Sequence, residues 1–137
     1  TWQALAAGGA PSARASAASV WTGTRFIVWG GFDTADLSTG GMYEPSRGRW
    51  TASATSAALA SPAAVWTGSR MIVFGFGGSG SGGGIFDPVA NTWSPLAVAG
   101  RPGNRLGHTA VWIGNRMLIW GGSLIETGIL SDGAILR

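Results

Sequence analysis

The chain says nearly the same thing three times, and that self-similarity constrains its fold more than any other feature. Residues 20–31 read VWTGTRFIVWGG, residues 65–76 read VWTGSRMIVFGF, and residues 111–122 read VWIGNRMLIWGG. The spacing between starts is 45 residues (20 to 65) and then 46 (65 to 111). A second landmark recurs as Trp2, Trp50 and Trp93, and a third as Met42-Tyr43-Glu44-Pro45 and Ile85-Phe86-Asp87-Pro88. A period in the forties with Gly-Gly and Trp marks is the signature of propeller blades.

Each landmark has a local cause. Gly23-Thr24, Gly68-Ser69 and Gly114-Asn115 sit between apolar runs. Gly at the first loop position suits a two-residue hairpin of type II′, and Gly-Asn also suits type I′. With strand a before this turn and strand b after it, Trp21 faces Phe26, Trp66 faces Met71 and Trp112 faces Met117. Such cross-strand pairs stabilise a sheet by roughly 0.2–1 kcal/mol each. Strand b is apolar without alternation, which predicts cover on both faces. Strand c is expected through Met42-Tyr43, Ile85-Phe86 and Ile135-Leu136, and strand d around Trp2, Trp50 and Trp93. The stretch Ala52–Ala64 carries Pro62 among Ser and Thr residues and reads as a connector rather than a helix. The Gly- and Ser-rich stretch Gly77–Gly84 reads as a short mobile connection between strands b and c.

Composition removes several classes. The 24 Gly among 137 residues argue against a helical bundle, since Gly weakens helix interiors. Cys is absent, so disulfide frameworks, thiolate metal sites and cysteine nucleophiles are excluded. No apolar run approaches the ~18 residues of a spanning helix. The net charge of +3 is carried by Arg residues spread from Arg14 to Arg137 rather than gathered on a stripe, which points away from nucleic acid. The opening Thr1-Trp2-Gln3 reads as the start of a fragment.

Taken together, these residues resemble the kelch repeat. The match runs from Arg105-Leu106-Gly107-His108-Thr109-Ala110-Val111-Trp112, through the Met-Leu-Ile-Trp-Gly-Gly strand, to the Tyr-Glu-Pro or Phe-Asp-Pro turn and the closing Trp, and it covers essentially residues 1–137. Departures are Gly75-Phe76 for Gly-Gly, Leu59 and Pro62 where the third repeat has Arg105 and His108, and Ala17 at the His position of the first. The resemblance implies an all-β propeller of four-stranded antiparallel blades, and an extracellular, bacterial setting. Reading along the chain gives d-a-b-c three times, which is three blades' worth of strands. Propellers have typically 4–8 blades, so three cannot close. A C2 homodimer would give a six-bladed ring. In it the strand around Trp2 of each chain would complete the last blade of the other, beside Ile135-Leu136, by β-addition.

Candidate chemistry is thin. His108 is the only His and reads first as a structural hydrogen bonder. The copper site of the family's galactose oxidases takes two His and two Tyr, which one His and one Tyr per chain cannot match. No metal or cofactor is expected. Arg14 and Arg105 precede strand a, near the expected channel mouth, and are the best polar groups for an anionic or sugar ligand. Phe32, Asp33, Asp36, Phe76 and Glu126 fall in the b-to-c loops of one rim, where a lectin would bind carbohydrate. Arg25, Arg70 and Arg116 recur at one strand position and read as stems packed on Trp. The favoured expectation is a non-catalytic propeller module that pairs with itself and acts as a scaffold or binding platform for protein or carbohydrate. A lectin and a sugar mutarotase or epimerase with its site in the channel are the alternatives; the enzyme would need an acid/base pair that only His108 and the two Arg residues could supply.

Overall fold

The computed structural model describes residues 1–77, 82–126 and 128–137. Every regular element among them is a strand, and the strands form antiparallel sheets that follow the repeat, an arrangement compatible with a β-propeller-like fold. The first sheet holds β1 (Ala18–Trp21), β2 (Phe26–Trp29), β3 (Gly40–Glu44) and β4 (Arg49–Ala52) in that order. The second holds β5 (Ala60–Trp66), β6 (Met71–Phe76), β7 (Gly83–Asp87) and β8 (Thr92–Pro95). The third has three strands, β9 (Thr109–Trp112), β10 (Met117–Trp120) and β13 (Gly133–Leu136), with β10 in the middle. A small hairpin, β11 (Ser123–Leu124) and β12 (Gly128–Ile129), is inserted between β10 and β13; the first repeat has a single Phe32–Asp36 bridge at the matching place.

The hairpins follow from their glycines. Gly23, Gly68 and Gly114 all have positive φ, while Thr24, Ser69 and Asn115 do not, so all three turns are of type II′. The resulting register places Trp21 opposite Phe26, Trp66 opposite Met71 and Trp112 opposite Met117. At the far end of strand b, Gly30-Gly31 and Gly121-Gly122 adopt consecutive left-handed conformations and end β2 and β10. Phe76 replaces the second Gly in the middle repeat, and there the strand simply continues: β6 runs through Phe76, which pairs with Ala60. That pairing draws the partner strand out as well, so β5 begins at Ala60 and the connector shrinks to 53–59, shorter than the expected Ala52–Ala64. Pro62 is accommodated at a bulge in β5, where no ladder hydrogen bond is needed. Gly83 and Gly84, expected in a loop, are paired in β7; residues 78–81 of that stretch lie outside the described residues.

The core lies between sheets. One cluster joins Val20, Ile27, Trp29 and Met42 of the first sheet to Met71, Val73 and Phe86 of the second, with Trp93 packed on it. A second joins Val65, Ile72 and Phe74 of the second sheet to Met117 and Ile119 of the third. The first strands of successive sheets lie side by side, β1 against β5 and β5 against β9. Thus the sheets fan out from their first strands. Continuous cover of strand b is realised only in the middle sheet, where Met71, Ile72, Val73 and Phe74 are all buried. In β2 and β10 burial alternates, because each flanking sheet has a neighbour in this chain on one face only.

Candidate functional site

Two places could act: the rim where strands b and c are joined, and the two open faces at the ends of the row of sheets. At the rim the candidate cations are bound by their own sheets. Arg105 is 2% exposed, and its guanidinium donates to Gly103 O (3.2 Å), Gly121 O (3.0 Å) and the Asp132 carboxylate (2.9 Å to Oδ1). Arg14 occupies the same place in the first repeat and donates to Gly30 O (3.0 Å), Thr39 O (2.7 Å) and Ser12 O (3.0 Å). Both therefore tie the left-handed Gly pair after strand b to the b-to-c loop. The middle repeat has no such glycine pair, and buried Leu59 stands at the equivalent position. The Arg105 hydrogen bonds hold the Asp132 carboxyl below the usual carboxylate range.

His108 lies next to this arginine and is 7% exposed. Its ring meets the edge of Phe74 at 5.4 Å between centroids, and neither nitrogen has a hydrogen-bond partner among the described residues. Burial first, and then the Arg105 charge, push its pKa below 6.5. A buried imidazole packed on Phe74 between the second and third sheets is a core group.

The loop residues stand apart from this pair. Asp33 accepts from the backbone N–H groups of Thr34 and Ala35, which lower its pKa, and caps its own loop. Phe32, half exposed, bridges Ala15 on one side and Asp36 on the other through the backbone. Phe76 is half-buried at the end of β6, and Glu126 is exposed in the β11–β12 turn. The structure thus brings together Phe32, Asp33 and Asp36 in one loop and Arg105 with His108 in another. No group of three His, Cys, Asp or Glu is placed to hold a metal ion among the described residues. Of the recurrent arginines, Arg25 reaches Pro88 O in the next sheet (3.3 Å), and Arg70 pairs with Asp87 (3.0 Å).

The open faces carry the larger signal. Trp29, Phe74 and Trp120 are the same position of successive repeats, yet they are 1%, 4% and 62% exposed. Val20 and Val65 are buried, while their counterpart Val111 is half exposed. Val111, Leu118 and Trp120 line one apolar recess with Ile135 on the outer face of the third sheet. At the opposite end of the row, Trp21 is half exposed where Trp66 and Trp112 pack into the clusters, and Phe26 and Val28 are half-buried where Met71 and Val73 are buried. Trp2 belongs to no strand and is fully exposed, so the expected strand d at the N-terminus is not formed within this chain. Ile135 and Leu136 lie in β13, an outer strand of the three-stranded sheet. Sequence reading named these seam residues but missed Trp120 and Val111. Comparing burial demands position by position along the repeat would have found them.

No helix among the described residues is long and apolar enough to cross a membrane. Comparison with known protein families found no matching family model, and comparison with curated proteins found no similar relative.

Proposed function

We propose that this chain is half of a kelch-type β-propeller, which closes into a six-bladed ring with a second copy and serves as a scaffold or binding platform without catalysis of its own. The observation that carries the reading is Trp120, left exposed at a position the fold buries in both other repeats. The face it occupies is the one that Val20, Ile27 and Trp29 present to the second sheet. The face at the other end of the row, with Trp21, Phe26 and Val28, is the one that receives such a contact in the second and third sheets. The two open faces are therefore complementary, and a two-fold axis satisfies both at once. Apolar faces left open in this way would drive association.

With the arginines and His108 engaged in the sheets, ligand contacts fall to the rim loop of Phe32, Asp33 and Asp36. Sedimentation equilibrium over a dilution series tests the assembly. A reversible dimer at micromolar concentration supports it, and a monomer throughout refutes it.

A further inference from the structure

Between the second and third sheets lies a largely apolar cavity of about 280 Å³, with Arg101 and Arg137 also in its lining, and the repeat identifies what fits it. Its lining includes Phe74, Ala97, Met117, Ile119, Ala134 and Leu136. In the second sheet the corresponding place is filled by the indole of Trp93. That ring lies 4.7 Å from Trp29 and 5.0 Å from Phe86 between centroids, over Gly84, and its Nε1 donates to Ala54 O at 2.9 Å. In the first sheet Trp50 does the same, 5.2 Å from Tyr43 and 6.4 Å from Phe26, over Gly41, with Nε1 donating to Ala6 O at 3.0 Å. Position for position, Trp29 becomes Phe74, Ala54 becomes Ala97, Gly84 becomes Ala134 and Phe86 becomes Leu136. Phe74, Ala97 and Leu136 stand where Trp29, Ala54 and Phe86 surround Trp93, Ala134 replaces the glycine under the ring, and no described residue of the chain puts a tryptophan there.

A second regularity names the occupant. The carbonyl that receives each indole lies four residues after the previous landmark Trp, Ala6 after Trp2 and Ala54 after Trp50, and Ala97 stands in the same place after Trp93. Trp2 is the landmark Trp that lies in no sheet. The chain beyond it is pinned to the first sheet, with Ala6 held by Trp50, Gly9 against Trp50 and Pro11 against Gly41. The second sheet stands between that anchor and the cavity. We infer that the cavity is the binding site for Trp2 of a second copy, whose residues 1–4 add to the free edge of β13 and whose indole N–H bonds Ala97 O.

This inference rests on the dimeric ring proposed above and specifies its seam. The register follows from the other sheets, where Tyr43 opposes Trp50, Phe86 opposes Trp93, Met42 opposes Thr51 and Ile85 opposes Ser94. Leu136 then opposes Trp2, and Ile135 opposes Gln3, of different chains. One difference is built in: Ala134 carries a methyl where Gly41 and Gly84 lie under the ring, so the indole must seat a few tenths of an ångström farther out.

The test uses the absence of native Cys. The Q3C/I135C double variant, oxidised under mild conditions, should run as a covalent dimer on a non-reducing gel. Mixed Q3C and I135C single variants should give a disulfide-linked pair, while each alone stays a thiol. Trp2→Ala should raise the dimer dissociation constant at least about a hundredfold, the effect of a buried aromatic anchor lost at two symmetric sites. A dimer in sedimentation that forms no such link, or a link closed within one chain, overturns this inference and leaves the ring standing. A chain that remains monomeric overturns both.

Discussion

Replacing Trp120 with Ala separates the demands of the single chain from those of the assembly. The side chain is 62% exposed in the isolated chain, against 1% for its counterpart Trp29. A Trp buries up to roughly 250 Å², so about 150 Å² remains to be removed from water when a partner covers it. At ~25 cal/mol per Å² this is worth about 3–4 kcal/mol. Two-fold symmetry makes the contact twice, about 6–8 kcal/mol in all, or four to six powers of ten in the dissociation constant at ~1.4 kcal/mol per decade. Sedimentation equilibrium at micromolar concentration should therefore find native dimer and Trp120→Ala monomer. Thermal unfolding at concentrations where both are monomeric should differ little, since the exposed indole contributes little within one chain. Trp29→Ala should show the opposite balance, costing about 3–5 kcal/mol of the chain's own stability. An unchanged dissociation constant for Trp120→Ala would refute the reasoning, because the residue would then have no hidden partner.

Three further outcomes follow from the interior. His108 has a pKa below its unfolded value of 6.5, so the unfolded chain binds the extra proton first. Stability is full above pH 6.5 and falls as the pH drops below it, and urea midpoints at pH 7.5 and 5.5 should show a loss that His108→Gln abolishes; Asp33, Asp87 and Asp132, whose pKa values lie below 3.8, act only in more acid solution. Arg105→Leu, which copies the middle repeat, should destabilise by about 1–3 kcal/mol in urea titration by leaving Gly121 O and its neighbours without a donor. Ser16, Ser61 and Gly107 share one repeat position with positive φ, at 52°, 42° and 62°. Since a left-handed L-residue costs roughly 1–2 kcal/mol, Ser61→Gly should match or exceed native stability and Gly107→Ala should fall below it.

Much of the architecture was legible because the repeat encodes it in local chemistry. The Gly-Thr, Gly-Ser and Gly-Asn pairs fixed three hairpins, and with them the Trp21–Phe26, Trp66–Met71 and Trp112–Met117 pairings. The shift at β5 was not legible, because it arises from Phe76 pairing with Ala60 across the sheet rather than from the composition of the connector. The β11–β12 hairpin was not legible, because it lengthens a pairing that in the first repeat is only the Phe32–Asp36 bridge. Arg14 and Arg105 looked like channel-mouth ligands, since a sequence cannot show that carbonyls released by left-handed glycines will claim the guanidinium donors. Trp120 matches Trp29 in type and place, and only the count of neighbouring sheets distinguishes them.

A crystal structure of the native chain, read with its symmetry-related copies, tests the central claim most directly. The account predicts six sheets around a closed two-fold ring, with Trp120 of each copy buried against the Trp21–Phe26 face of the other. Trp120 left in solvent, or sheets closing in any number other than six, would contradict it.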